Sequence, residues 1–282
     1  MSSLDTIIPN WPLKRVKAHV TTRFGGESTN DYFNFNLASH VGDNPEVVQH
    51  NRLLLEQKLS LPEQPLWVQQ VSGGNVLELP IDNILEQEYL QIQKSEQASV
   101  LKSRHADLWK IFEVDALYTN QVNKVCAILT ADCIPLLLCD ENETEVASVH
   151  AGWRGVIAGV VENSIYTFKT FHKYKNAHEL YAWIGPAIGP QSFVVGSEVM
   201  MEFVEKDRDF AHAFVPYPAE KNKWLGDLPL IVSIILQKLG VNPERIYFSQ
   251  IDTVTDDRFY SYRRDKVTGR FASLIWLPDE DA

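Results

Sequence analysis

The chain of 282 residues has little cysteine: only Cys126, Cys133 and Cys139. An odd number crowded into fourteen residues builds no disulfide framework and fits a reducing cytoplasm. Long apolar runs are missing too. The longest, around Cys133–Cys139 and Leu230–Leu236, are strand or short-helix length, short of the roughly 18 residues of a membrane helix. Positive charge is scarce: 26 Lys+Arg stand against 37 Asp+Glu, a net charge of −11. That balance argues against a nonspecific nucleic-acid binder, which needs basic stripes to neutralise phosphates. The opening MSSLDTIIPNWPLKRV has no basic stretch leading into an apolar one, so no signal peptide is expected. No Walker loop, HExxH, GxSxG or paired CxxC occurs, and Gly185–Pro190 lacks the Lys and the glycine spacing of a phosphate loop. There is no internal repeat and no low-complexity tract.

What is present is an ordinary globular balance, 45% hydrophobic and 22% charged. Asn44 and Pro45 suit the start of a helix running to about Leu59, with Val47, Val48, Leu54, Leu55 and Leu59 on one face. Val125–Leu129, Ile134–Cys139 and Val146–Val149 read as buried strands, and the polar turn Asp140–Thr144 makes a hairpin of the last two. Trp153–Phe171 reads as a single helix. Leu180–Ile184 is a strand, Val199–Val204 and Leu228–Leu239 are helical, and Tyr247–Gln250, Phe259–Tyr262 and Phe271–Trp276 close the chain as strands. Residues 86–113, rich in Gln, Glu, Lys and Ser, read as a helical surface insertion. This order predicts an α+β or mixed α/β fold with mixed β-sheets flanked by helices, not a clean βαβ repeat.

Three groups of residues carry possible chemistry. If the hairpin forms, Cys133 at the start of one strand meets His150 at the end of its partner. A Cys and a His in contact serve as two metal ligands, as a nucleophile with its base, or as core neighbours. Asp132 puts a charge in an apolar stretch, and the turn Gly152-Trp153-Arg154-Gly155 lets backbone approach a ligand beside a flat ring. The second group is arginine: Arg23, Arg52, Arg154, Arg263 and Arg264. Guanidinium groups hold phosphate or carboxylate bidentately; the plainer reading is solvated side chains or pairing with acids such as Asp265. The third is the Asn34–Asp43 loop, where Asn36 and His40 can read a heterocycle or hydroxyls.

Taken together, several segments resemble the YfiH-like laccase-domain family. They are TTRFGG at 21–26, NLASHVGDNPEVVQHNR at 36–52, WVQQV at 67–71, DALYT at 115–119, TADCIPLLL at 130–138, VASVHAGWRG at 146–155, IGPAIGP at 184–190 and FYSYRRDKVTGRFASLIWL at 259–277. The resemblance implies one mixed α/β domain over residues 1–282, and a zinc or copper site of His, Cys and His. The last two ligands map to Cys133 and His150. The first belongs to a Gln-Val-His-Gly motif, and here Gln70-Val71-Ser72-Gly73 puts Ser72 at that position. Serine is a poor zinc ligand; His40 or His105 are candidate replacements. The activities implied are phosphorolysis and deamination of purine nucleosides, with nucleoside and phosphate as small-molecule partners. Copper-dependent phenol oxidation is also implied. The fold resembles that of a deamidating toxin with a Cys/His pair, which implies a metal-free cysteine hydrolase acting on cell-wall precursors. A non-catalytic binder that has lost a ligand is a further reading.

Overall fold

The computed structural model describes residues 4–81, 85–89 and 111–279. Most of the expected 86–113 insertion, His105 included, lies outside the described residues. At its edges Tyr89 and Phe112 are buried and stacked, ring centroids 3.7 Å apart.

The strands in chain order are β1 (Thr6–Ile7), β2 (Lys17–Thr21), β3 (Val76–Leu79), β4 (Ala116–Thr119), β5 (Cys126–Thr130), β6 (Ile134–Asp140), β7 (Val146–Ala151), β8 (Leu180–Ile184), β9 (Val194–Gly196), β10 (Phe214–Pro216), β11 (Lys223–Gly226), β12 (Ile246–Phe248) and β13 (Phe271–Trp276). A six-stranded mixed sheet runs β12-β8-β6-β7-β4-β3, a four-stranded antiparallel sheet β1-β2-β13-β5, and a small sheet β10-β11-β9. The mixed α/β class is as the sequence predicts. Strand alternation sets the layers, because successive side chains point to opposite faces. On β6, Ile134, Leu136 and Leu138 face the helices, joining Val160, Val161 and Ile165 and the Leu228–Lys238 helix. Leu137 and Cys139 face the other way and pack against Val20, Cys126, Phe271 and Ile275 of the four-stranded sheet. Ala127, Leu129, Ala272 and Leu274 cover that sheet's far side, with Phe35, Leu37 and Leu55 of the Pro45–Leu59 helix and the loop before it. With both faces covered, strands β5, β6 and β7 are buried throughout, which is why they read as continuous apolar runs. No helix among the described residues is long and apolar enough to cross a membrane.

Two expected elements differ. The segment expected as one helix over Trp153–Phe171 is three, Trp153–Ile157, Val160–Thr167 and Lys169–Tyr174. Gly159 at φ 88° breaks the first junction and extended Phe168 the second; the left-handed φ is one that glycine adopts without steric cost. Nor is Phe259–Tyr262 a strand. Ser261 caps a single helical turn, Tyr262–Asp265, and the Arg264 guanidinium donates to the carbonyls of Thr253, Val254 and Phe259 instead of leaving backbone for a ladder.

The hairpin β6–β7 forms as expected, and its turn is also where the helical layer is attached. The buried Glu145 carboxylate accepts hydrogen bonds from the Tyr118 hydroxyl (2.6 Å), the Lys169 and Thr170 N–H groups (2.6 and 2.9 Å) and the Thr170 hydroxyl (2.6 Å). It therefore satisfies the N-terminal amides of the Lys169–Tyr174 helix, which has no capping side chain of its own. Removing the carboxylate strands several buried donors, each costing ~1–3 kcal/mol. Glu145→Ala is expected to lower unfolding free energy by about 3 kcal/mol or more in urea titration, and Glu145→Gln by less. An unchanged midpoint for Glu145→Ala would show that water replaces the carboxylate without loss.

Candidate active site

The hairpin register aligns Pro135 with His150 and Ile134 with Ala151. Cys133 therefore sits just before β6, beside the end of β7, and the Cys133–His150 meeting expected from the sequence is found. A Cβ at Gly152 would lie 2.9 Å from Cys133 Sγ and 3.7 Å from His150 Cε1. Glycine at this position is what leaves room for the sulfur beside the ring.

Behind His150 stands Asp115, a residue the sequence reading passed over. The register Ala116↔Val149 places it next to His150 across β4 and β7. Its Oδ1 lies 2.7 Å from His150 Nδ1, and its carbonyl accepts the His150 N–H at 2.7 Å. The same carboxylate accepts the N–H groups of Ser72 (2.9 Å), Gly73 (2.6 Å) and Val71 (3.3 Å). With Nδ1 engaged, Nε2 is the nitrogen left to face Cys133. Burial works against a charged imidazole here. The Cys133 sulfur and the Asp115 carboxylate outweigh it, and the His150 pKa is pushed up to about 10. A carboxylate, an imidazole and a thiol thus stand in line, with the thiol the only one of the three cysteines not buried. Burial pushes the thiols of Cys126 and Cys139 well up, and both are core residues as expected.

Asp132 is explained by its bonds. It holds φ 92°, an unusual value for a residue with a side chain. Its carboxylate accepts from the Thr253 hydroxyl (2.7 Å) and the Arg263 N–H (2.6 Å), pinning the Tyr262–Asp265 turn against Cys133.

Cys133 lies at the junction of two clefts. The larger, about 480 Å³, is lined by Ser72, Trp153, Arg154, Phe193, Lys223 and Arg263 among others. The smaller, about 250 Å³, is lined by His40, Gln70, Ser72, Thr130, His150 and Arg270 among others. Ser72, Ala131, Cys133 and Tyr262 are common to both. Of the expected anion-binding residues, Arg154 is at the larger cleft, exposed and stacked on Trp153 at 4.3 Å. Arg263 is there too, but its Nη1 is bonded to the carbonyls of Ser192 and Val194. His40 reaches the smaller cleft. Three others are elsewhere. Arg23 donates to the Phe33 carbonyl and lies over Tyr260. Arg52 is buried, donates to the Leu37 carbonyl and stacks on Trp67. Asn36 is buried in its own loop, bonded to Ala38, Asp43 and the Arg270 N–H. In each case a backbone carbonyl or amide supplies the partner that a ligand was expected to supply. Arg264, likewise, is paired with Asp265.

Ser72 is where the third metal ligand was expected, in the same clefts as Cys133. The donors gathered around Ser72 are the Cys133 thiol, one His150 nitrogen and a neutral hydroxyl; His40 lines the same cleft, but among the described residues no three His, Cys, Asp or Glu side chains are placed so as to hold a metal ion. A zinc or copper centre with three good protein ligands does not fit this set.

The whole arrangement has known relatives. Residues 17–278 match the family model described as multi-copper polyphenol oxidoreductase laccase. A Haemophilus influenzae protein named purine nucleoside phosphorylase is 38% identical, the match covering 97% of this chain and 100% of the relative. An Escherichia coli protein named purine nucleoside phosphorylase YfiH is 40% identical over 96% of this chain and 98% of its own. Among solved structures, a Neisseria meningitidis protein superposes with a TM-score of 0.80 at 35% identity, covering 97% of this chain and 99% of its own. YlmD from Geobacillus stearothermophilus does so at 0.75 and 25%, covering 94% and 93%. With the family model matched from β2 to just beyond β13, the chain belongs to the multi-copper polyphenol oxidoreductase laccase family.

Proposed function

We propose that the chain is a purine nucleoside phosphorylase working at the cleft where Cys133, His150 and Asp115 converge. The observation that carries this reading is the 38% and 40% identity, over nearly the whole chain, to proteins of that name. The site's chemistry supports it. Phosphorolysis joins a phosphate oxygen to C1′ of the ribose as the C1′–N9 bond breaks. The purine leaves with the bonding pair and takes up the proton that hydrogen phosphate brought. Protonated His150, fixed by Asp115, offers phosphate a charge-assisted hydrogen bond and can relay that proton. Trp153, Phe193 and Tyr262 give the larger cleft flat faces on which a purine can lie. Most of the rate enhancement then comes from positioning two substrates together. Because the donor set does not fit a three-ligand metal centre, neither adenosine deamination by a metal-bound water nor copper-dependent phenol oxidation is supported by these residues.

A second reading has its own observation. The Cys133–His150–Asp115 line has the order of nucleophile, base and orienting carboxylate found in cysteine hydrolases. Acting so, His150 takes the Cys133 thiol proton as Sγ attacks a carbonyl, passes it to the leaving group as that bond breaks, and water then hydrolyses the thioester to restore the thiol. Phosphate dependence separates the two readings: release of free base that requires inorganic phosphate supports phosphorolysis, and turnover indifferent to phosphate but abolished by iodoacetamide supports the hydrolase. A folded protein with neither activity is the non-catalytic binder.

Two predictions follow from these roles. Asp115→Asn is expected to lower kcat for phosphate-dependent base release by about 10²-fold or more, because Nδ1 loses the acceptor that fixes the ring's tautomer and charge; an unchanged kcat would remove His150 from the mechanism. Ser72→His is expected to bind zinc at least tenfold tighter than the wild type in competitive titration, since it completes a set of two strong ligands. Equal affinity would show that another side chain already fills the third position.

A further inference from the structure

We propose that the smaller cleft is an oxyanion subsite, built by Arg270 and Thr130, that takes inorganic phosphate on the His150 side of Cys133. This rests on the phosphorylase reading for its substrate, and on the geometry below for its place.

Arg270 was not among the arginines that the sequence singled out. It stands at the start of β13, and it is half-buried where Arg154 is exposed. Its Nη1 donates to the carbonyls of Thr268 and Gly269, both at 2.9 Å, which fixes the plane of the guanidinium. The backbone is held as well: Asn36 Oδ1 accepts the Arg270 N–H at 2.9 Å, and the Leu37 N–H donates to the Arg270 carbonyl at 3.2 Å. Nε and Nη2 make no hydrogen bond with any described residue. No carboxylate of the described residues is paired with the group, and burial lowers its pKa from the usual arginine range, as expected for a poorly solvated cation. A rigid, underused guanidinium edge lining a small pocket matches what a tetrahedral oxyanion needs.

A second observation points the same way. Thr130 is buried at the end of β5 and lines the same pocket, yet its Oγ1 has no hydrogen-bond partner. A buried hydroxyl without a partner costs free energy unless a ligand supplies one. The charge pattern separates the two clefts further. Among the described residues the smaller one is lined by Arg270 and by no Asp or Glu, whereas the larger one mixes Asp132 and Glu198 with Arg154, Lys223, Arg263 and Lys266. An anion in the smaller cleft therefore meets the Arg270 guanidinium with no carboxylate of the described residues on the cleft wall. The volumes agree: about 250 Å³ suits phosphate with some water, and about 480 Å³ suits a nucleoside. The two substrates then approach each other across Cys133, with His150 on the phosphate side.

The test is calorimetric titration of inorganic phosphate into the full-length wild type, Arg270→Gln, Arg270→Lys and Thr130→Val, with thermal melts to show that each is folded. Arg270→Gln is expected to weaken phosphate binding at least tenfold, and Thr130→Val several-fold. If Arg270→Gln does not fold, Arg270→Lys carries the test: it keeps the charge but not the fork, and its phosphate Kd should rise several-fold while the nucleoside KM stays. Phosphate affinity equal to wild type in the folded Arg270 variants overturns the subsite. The activity assay separates this from the phosphorylase reading. Phosphate binding that depends on Arg270, in a protein that releases no base from any purine nucleoside, keeps the subsite and overturns the reading. Phosphorolysis whose phosphate KM is unmoved in Arg270→Gln keeps the reading and overturns the subsite.

Discussion

The Asp115 carboxylate sits at a place where three parts of the chain meet, and each depends on it. Among the described residues it has no Lys or Arg partner. Its charge is held by amides of the 71–73 loop and by the His150 ring, the kind of hydrogen-bonded environment that keeps a buried anion tolerable. Through those bonds one carboxylate shapes the loop carrying Ser72, selects which imidazole nitrogen faces Cys133, and keeps a proton on the ring. Move or neutralise it and the Ser72 loop and the His150 ring lose their common anchor.

The rest of the fold brings that carboxylate its neighbours. β4 and β6 flank β7 in the six-stranded sheet, so Asp115 and Cys133 arrive at His150 from opposite sides of one strand. Asp132, held at a positive φ, ties the Cys133 turn to Thr253 and to Arg263. Gly152 keeps the space between sulfur and ring open. On the outer side, the Asn36 loop runs along the backbone of Arg270 and delivers His40 to the same pocket. Asn36 thus serves the site from one step away: its side chain orders the strand end that carries the arginine.

How much of this was legible beforehand depends on sequence distance. Cys133 and His150 come together through a hairpin closed by a short polar turn, so the alternation and turn chemistry of a single segment were sufficient. Asp115 lies 35 residues before His150, and only the sheet order brings it there. Its one local sign was a charged residue heading the apolar run Ala116–Thr119, the same sign that marked Asp132. The arginines show a different limit. Arg23, Arg52 and Arg263 look like anion binders in sequence, but their donors go to backbone carbonyls, and residue type alone does not distinguish a carbonyl from a phosphate. Arg270 looked like part of a strand and became the best candidate only once it was seen to line a pocket with two of its nitrogens unbonded to any described residue. The break of the Trp153–Phe171 helix was readable at Gly159, where a run of good helical spacing hid a glycine in the left-handed region.

The central claim is that Asp115, His150 and Cys133 work as a unit that does not require a third metal ligand at position 72. It is tested most directly by phosphate-dependent base release from a purine nucleoside, measured on the wild type before and after exhaustive chelation, with the bound metal quantified in the same samples. The expected result is that kcat survives removal of zinc and copper to well below one atom per chain. Loss of turnover on chelation, restored in proportion to added zinc, would contradict it.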